Sequence, residues 1–186
     1  MSVTPALDHV CPGCAENAWV HQTLAEHLTA WTCSHCLGIL LSLDDYRDWK
    51  RLHPEAPTAS VPPSLLAEGG PLVRLCGACG RIMSRYRTGA RPDFHVDVCI
   101  GCQTLWLDAG EWPRLVAANL HRELDVVLRE AFQQQLDANE RAAKRNRELR
   151  RRLGDEVFEE ALRLREWLDA QPQRTDVLRV LLGDKP

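Results

Sequence analysis

The amino-acid sequence predicts a small α+β fold in which two short β modules precede a helical C-terminal tail. Three observations predict it. All eight cysteines belong to Cys-x-x-Cys pairs, and the pairs come in two sets. The second set encloses residues of strand character, and each set is followed by three apolar residues and a helix start. After Trp112, apolar residues recur every three or four positions, which is typical of a helix.

The cysteine pairs have the spacing of metal sites. Residues 15–32 separate the two pairs of the first set, and residues 80–98 separate those of the second, which makes 18 and 19 residues. Two turns that each present two sulfurs at such a spacing bind one tetrahedral zinc ion. The sequence therefore predicts two Zn²⁺ ions. The predicted ligands are Cys11, Cys14, Cys33 and Cys36 for one ion, and Cys76, Cys79, Cys99 and Cys102 for the other.

Other uses of the cysteines fit the sequence less well. Disulfides need an oxidising compartment, whereas residues 1–10 lack the pattern of a signal peptide, so we expect a cytoplasmic protein with free thiols. A thioredoxin-like dithiol needs a βαβ context, which is not apparent. A histidine in place of one cysteine ligand stays an alternative, although four sulfurs already complete a tetrahedron. Five histidines surround the first set: His9, His21, His27, His35 and His53.

The residues within and after the two cysteine sets predict strands and helix starts. Residues 21–31 fit either a strand or a helical turn, whereas residues 81–88 and 94–98 fit two strands joined by a turn. Ser42 with Asp45, and Asp108 with Glu111, have the spacing of a helix N-cap and an acid in the first turn. Each module is therefore expected to end in a short strand that leads into a helix.

Composition divides the chain into four predicted segments. The first module occupies residues 1–52 and the second residues 72–112. Residues 53–71 contain five prolines and two glycines, which predicts a linker. The sequence leaves open whether the modules are flexibly arranged or pack as a pair. The fourth segment, residues 113–186, is the helical tail.

The tail is predicted to begin with a long helix. The helical pattern runs from about Trp112 to Arg152, although its apolar stripe thins past Leu136, and no Gly or Pro interrupts residues 114–153. Such a helix packs on a partner or forms a coiled coil with a second chain, so the 113–152 helix predicts a possible homo-oligomer. Shorter helices are expected after Gly154 and Pro172.

Metal is expected to decide whether the modules fold. Each has some 40 residues, which is too few to bury a large core. One zinc ion bound by four thiolates contributes about 10–16 kcal/mol of apparent free energy. A site with four protein ligands leaves no position for an activated water, so the sequence argues against an enzyme.

The second cysteine set and residues 105–112, Leu-Trp-Leu-Asp-Ala-Gly-Glu-Trp, resemble the bacterial zinc-ribbon family related to the ribbon of transcription factor IIB. In that family a Trp-Leu-Asp-x-Gly-Glu-Leu pattern follows the last cysteine, and Trp112 stands here in place of the final Leu. Residues 11–49 resemble a diverged copy, in which Leu40 and Asp44 replace the Trp and the Gly. The resemblance implies two tandem zinc ribbons, each with four cysteine ligands, and a role in transcription or nucleic-acid transactions.

Two basic segments are candidates for nucleic-acid contact, with Arg on phosphates and an aromatic ring stacked on a base. The alternatives are a solvated hairpin that offsets the anionic metal site, and an exposed helix with basic residues near its C-terminus. The candidate residues are Arg81, Arg85, Tyr86, Arg87, Arg91, Arg147, Arg150 and Arg151.

These observations together predict a non-enzymatic, zinc-binding recognition or adaptor protein linked to transcription or nucleic-acid transactions. We expect a protein partner, with nucleic acid as a further possibility. No apolar stretch approaches the roughly 20 residues that cross a bilayer, so no membrane association is expected. The alternative is a structural zinc scaffold whose helical tail mediates protein–protein contact or self-association without binding nucleic acid.

Overall fold

The computed structural model describes residues 9–54 and 73–183. These residues form a small α+β fold with six strands and six helices. The predicted linker, apart from residues 53 and 54, lies outside the described residues. The strands are β1 (Trp19–Ala25), β2 (Leu28–Cys33), β3 (Ile39–Ser42), β4 (Ser84–Arg87), β5 (His95–Cys99) and β6 (Thr104–Leu107). The helices are α1 (Leu43–Leu52), α2 (Glu111–Ala117), α3 (Leu124–Val127), α4 (Glu130–Leu153), α5 (Asp155–Asp169) and α6 (Arg174–Leu182).

All six strands belong to one antiparallel sheet, in the order β1-β2-β3-β6-β5-β4. The three strands of the first cysteine set therefore join the three strands of the second through the β3–β6 pair. Of the two arrangements that the sequence left open, the structure has the paired one. The segment 21–31, which fitted a strand or a helical turn, forms the β1–β2 hairpin.

The two faces of the sheet have different roles because successive side chains in a strand point to opposite sides. One face carries Ile39 and Leu41 of β3 and Leu105 and Leu107 of β6, and these pack in the main core with residues of α1, α2 and α3. The other face carries the side chains that lie next to the cysteines. Their centre is Trp106, in a second apolar cluster that contains cysteines of both sets.

Only one of the two predicted N-caps has its side chain in the capping role. The Ser42 hydroxyl accepts a hydrogen bond from the Asp45 amide at 3.2 Å, as predicted. The Asp108 side chain does not cap α2, whose N-cap is Gly110 with a left-handed backbone. The reciprocal bond is present, because the Asp108 amide donates to the Glu111 carboxylate at 2.7 Å.

The predicted uninterrupted helix from Trp112 to Arg152 is wrong. Helix α2 ends at Ala117, α3 is a single turn, and α4 begins only at Glu130. The chain reverses at Asn119, whose φ of 56° is left-handed. After this turn Leu124 and Val127 lie in the main core, so the first half of the apolar stripe packs within its own chain.

The chain divides into two compact units, one up to Leu136 and the other from Asp137 onwards. The first contains the sheet and both cysteine sets. Among the described residues of the second, only Phe158 and Leu168 are buried apolar side chains. Its exposed large apolar side chains are Leu149, Leu153, Val157, Leu164, Trp167, Val180, Leu181 and Leu182.

Candidate metal sites

The structure brings each cysteine set together as one four-sulfur cluster. The four Sγ atoms of each set lie within 4.8 Å of one another. Individual Sγ–Sγ distances are 3.5 Å for Cys11–Cys36 and 3.6 Å for Cys14–Cys33. In the other cluster they are 3.9 Å for Cys76–Cys102 and 3.6 Å for Cys79–Cys99. A tetrahedral site with Zn–S bonds of about 2.3 Å has sulfur–sulfur edges of about 3.8 Å, so both clusters fit a zinc ion.

The backbone after each Cys-x-x-Cys pair is left-handed. The residue that follows the second cysteine has φ of 62° at Ala15, 60° at Leu37, 68° at Gly80 and 52° at Gln103. The amides of the first three donate to the carbonyl of the first cysteine of the turn at 2.8 Å. Each turn therefore closes around its two sulfurs. Three of the four positions lack the glycine that marks such a conformation, so sequence analysis missed them.

Backbone amides point at the sulfurs and favour thiolates. The Gly13 amide donates to Cys11 Sγ at 3.3 Å. Hydrogen bonds, first from the Arg81 amide and then from the other cysteines of the set, lower the pKa of Cys79 to about 7. At Cys33 burial acts to raise the pKa, but hydrogen bonds from the Cys36 and His35 amides and from the Cys14 and Cys11 side chains together outweigh it, and the pKa is lowered. Such donors stabilise the thiolates that bind a metal.

Burial opposes ionisation at the inner cysteines. It is the main reason that the pKa of Cys11 and the pKa of Cys76 are raised. A bound divalent cation reverses this balance because it deprotonates a coordinating thiol outright. The donor set, the size of each cluster and the amide hydrogen bonds thus fit a metal ion held by four thiolates. In the residues described, no histidine joins either cluster.

A buried ion-pair network connects the neighbourhoods of the two clusters. The Arg74 guanidinium, whose side chain is 1% exposed, donates to Asp97 Oδ2 at 3.0 Å and to both Asp108 carboxylate oxygens at 2.8 Å. It also donates to the carbonyl of Pro12, between the first two cysteines, at 2.9 Å. Asp97 in turn accepts two hydrogen bonds from Arg85. Neither Arg74 nor Asp97 was predicted as a site residue, because the only local signal in the sequence is a charged Asp97 inside an apolar strand.

The candidate nucleic-acid residues do not form one surface. In β4, Arg85 and Arg87 alternate with Tyr86, which packs against the main core. Arg85 pairs with Asp97 and Arg87 with Asp93.

In the second unit, Arg150 pairs with Asp155 and Glu159, and Arg151 pairs with Glu148. Arg81, Arg91 and Arg147 are exposed and form no ion pair with any other residue that the structure describes.

The fold and the clusters define the class of this protein, a small α+β protein with two four-cysteine sites of the size and chemistry that hold metal ions. No family model, no curated protein and no solved structure matches the chain. The zinc-ribbon resemblance of the second cysteine set and residues 105–112 therefore rests on its motif alone. Within the described residues, no helix has the length and apolar character needed to cross a membrane.

Proposed function

We propose that the protein binds two zinc ions as structural elements and acts, without catalysing a reaction, as an adaptor that recognises another protein. The observation that carries this proposal is the pair of closed four-sulfur clusters. Four thiolates fill a tetrahedral coordination shell, so the metal offers no position for water or substrate. When bound, the zinc ion supplies a cross-link between two turns and no chemistry of its own.

The choice of zinc rests on the ligand type. Thiolates select soft or borderline metals, and four tetrahedral sulfurs are typical of zinc or iron. The amide hydrogen bonds to the sulfurs spread the net −2 charge of a site with four thiolates and one divalent ion. The first unit is the metal-stabilised scaffold, and the second unit carries the recognition surface.

The second unit favours a protein partner. It exposes large apolar side chains on all three of its helical segments, including Leu149, Leu164 and Trp167. Contiguous exposed apolar patches mark protein-interaction sites, and these side chains are the candidates for such a patch. Apolar residues such as Leu124 and Val127 pack in the core of the first unit, so self-association through helix α4 would depend on the exposed Leu149 and Leu153.

A nucleic-acid role, with the transcription link that the motif implies, is the second candidate. Its support is the basic character of α4, whose last turn contains Arg150, Arg151 and Arg152, together with the exposed Arg147. The ion pairs of Arg85, Arg87, Arg150 and Arg151 weaken it, because a phosphate must compete with a carboxylate at each of them.

Two measurements on the full chain test the proposal. Cell proteins retained by the wild type are compared with those retained by a Leu164→Glu, Trp167→Glu variant, with Val20→Glu on an exposed strand of the first unit as the control. The adaptor proposal expects a defined partner to be lost in the double variant and kept in the control. Tight, salt-steep binding to DNA or RNA that the double variant retains would support the second candidate instead.

A further inference from the structure

We infer that the two metal sites are thermodynamically coupled, so that metal bound at either one raises the affinity of the other. This inference rests on the proposed zinc binding and concerns how the chain regulates it. Two side chains of the second module, Trp106 and Arg74, contact the first metal site. In turn, Gly77 of the second metal site contacts the backbone of Val10 in the first module.

Trp106 is part of the second module in the sequence, but its side chain lies against the cysteine cluster of the first module. A Cβ atom at Gly13 would be 2.8 Å from its Cζ2 atom, and a Cβ at Gly38 would be 2.1 Å from the same atom. Both glycines flank cysteines of the first set, and the Cβ at Gly13 would also be 3.2 Å from Cys36 Sγ. The indole ring is therefore one wall of the first metal site.

Arg74 fixes the first turn of that site from the same side. It precedes Cys76 by two residues, yet it donates to the Pro12 carbonyl between Cys11 and Cys14. Its other hydrogen bonds go to Asp97 and Asp108, in or directly after strands of the second set. Asp108 Oδ1 also accepts a hydrogen bond from the Trp106 indole at 2.9 Å, so one carboxylate orients both side chains.

The turn between Cys76 and Cys79 of the second cluster packs against the first module. Gly77 lies between Cys76 and Cys79, and a Cβ there would be 1.7 Å from the carbonyl oxygen of Val10. Val10 immediately precedes Cys11. The turn that supplies two sulfurs to one cluster therefore packs directly on the backbone that enters the other. Cysteines from both sets lie in the single apolar cluster around Trp106.

These contacts imply coupling because a metal site rarely exists before its ligands are ordered. When the second site is empty, Arg74 and Trp106 lose the strands that hold them, and binding at the first site must also supply the free energy that orders its own wall. Linkage then requires the reverse effect to be equal in size. Couplings of this kind are typically about 5–150-fold in affinity. We expect at least about tenfold here.

The experiment uses the full chain, reduced, with Co²⁺ and Zn²⁺ as the probes. Cys79→Ser with Cys102→Ser disables the second site, and Cys14→Ser with Cys36→Ser disables the first. The thiolate-to-Co²⁺ absorption and competition with a zinc chelator give the affinity of the site that is left. We expect each remaining site to bind at least about tenfold more weakly than in the wild type, by the same factor in both directions.

A second set of variants tests the route of the coupling. Trp106→Leu places at this position the residue that Leu40 provides in the other repeat, and Arg74→Lys keeps the charge but loses the forked hydrogen bonds. Both should weaken the first site more than the second. Trp167→Leu, which replaces an exposed tryptophan of the second unit, is the matched control and should leave both affinities unchanged.

The affinities of the variants test the coupling between the sites, and the zinc content of the wild type tests zinc binding itself. If each remaining site keeps its wild-type affinity, or if Trp106→Leu and Trp167→Leu behave alike, the coupling inference is overturned. A wild-type chain that takes up fewer than two ions contradicts the zinc proposal itself, whatever the variants do.

Discussion

Leu40 and Trp106 face each other across the central strand pair of the sheet, and each is the fourth residue after the last cysteine of its own set. The register around them is symmetric, with Ile39 opposite Leu107 and Leu41 opposite Leu105. The two repeats therefore meet through equivalent positions, as the subunits of a two-fold dimer do. The pairing also covers the strand edge that each repeat would otherwise expose.

The close approach of Gly38 to Trp106 predicts that Gly38→Ala is destabilising. The added methyl group would overlap the buried indole ring, and overpacking of this kind costs about 1–3 kcal/mol. Chemical denaturation at saturating zinc measures the loss. Gly101→Ala is the control, because its new Cβ would meet only the end of the flexible Arg81 side chain. Equal losses for the two variants would contradict the placement of Trp106.

The left-handed backbone at Ala15 predicts that Ala15→Gly is stabilising. Glycine adopts a φ of 62° without steric cost, and the expected gain in unfolding free energy is roughly 0.5–1 kcal/mol. The same replacement at Ala131, an exposed position of helix α4, should instead lose about 0.5–1 kcal/mol. Thermal unfolding of the two zinc-loaded variants compares the signs. A loss at both positions would argue against the left-handed turn.

Burial of Glu111 predicts a pH-dependent difference between the wild type and Glu111→Gln. Burial, helped by the nearby carboxylates of Asp108 and Asp97, raises the pKa of Glu111 to about 8, although the Asp108 amide and Arg114 act to lower it. The folded state thus keeps a proton that the unfolded state loses near its ordinary pKa of 4.5. Stability from this group is present below that ordinary value and is lost as the pH rises to about 8.

Glutamine keeps an acceptor for the Asp108 amide and does not ionise. The unfolding free energy of Glu111→Gln should therefore rise relative to that of the wild type by roughly 2 kcal/mol between about pH 6 and pH 9, measured by denaturation at saturating zinc. Glu123→Gln, which replaces an exposed glutamate, is the control. A gap between Glu111→Gln and the wild type that stays constant with pH would show that Glu111 ionises normally in the folded protein.

The division at Leu136 predicts that the second unit can be removed without loss of metal binding. A chain that ends at residue 136 retains both clusters, the whole sheet and the packing of Phe132 against the main core. We expect it to bind two equivalents of zinc and to unfold in one cooperative transition. Elemental analysis with calorimetry tests this. Metal loss on truncation would mean that residues after 136 support the clusters.

Short-range patterns predicted the parts of the structure that short-range physics decides. The Cys-x-x-Cys spacing indicated the two four-sulfur clusters, and Ser42 with Asp45 indicated the start of α1. Ser42 and Asp45 interact because they are only three residues apart. The cysteine clusters were predictable because four equivalent thiols in two such turns leave few arrangements.

Long-range pairing was not predictable in the same way. Leu40 and Trp106 are 66 positions apart, and nothing in either strand alone specifies the other as its partner. Asp108 has the position of a helix cap, but Arg74, 34 residues earlier, binds its carboxylate. A charged side chain in the core outcompetes a backbone amide for that carboxylate because an unpaired buried guanidinium would be far more costly.

The tail shows a limit of helical periodicity. Residues at three- and four-residue spacing form one stripe whether they face a second chain or their own core. The break after Ala117 contains neither Gly nor Pro. Asn119 has a left-handed backbone there, but an asparagine is a weak sequence signal because most asparagines do not adopt this conformation, although they do so more often than most residues. Only the packing of Leu124 and Val127 on the sheet decides it.

The zinc content of the purified protein is the decisive measurement for metal binding by the two four-sulfur clusters. The full chain, prepared under reducing conditions and freed of loosely bound ions, is analysed for zinc and for free thiols before and after unfolding. We expect two zinc ions per chain, eight thiols released on unfolding, and loss of the folded state when a strong chelator removes the metal. A folded, reduced protein with far less than two equivalents of metal would contradict it.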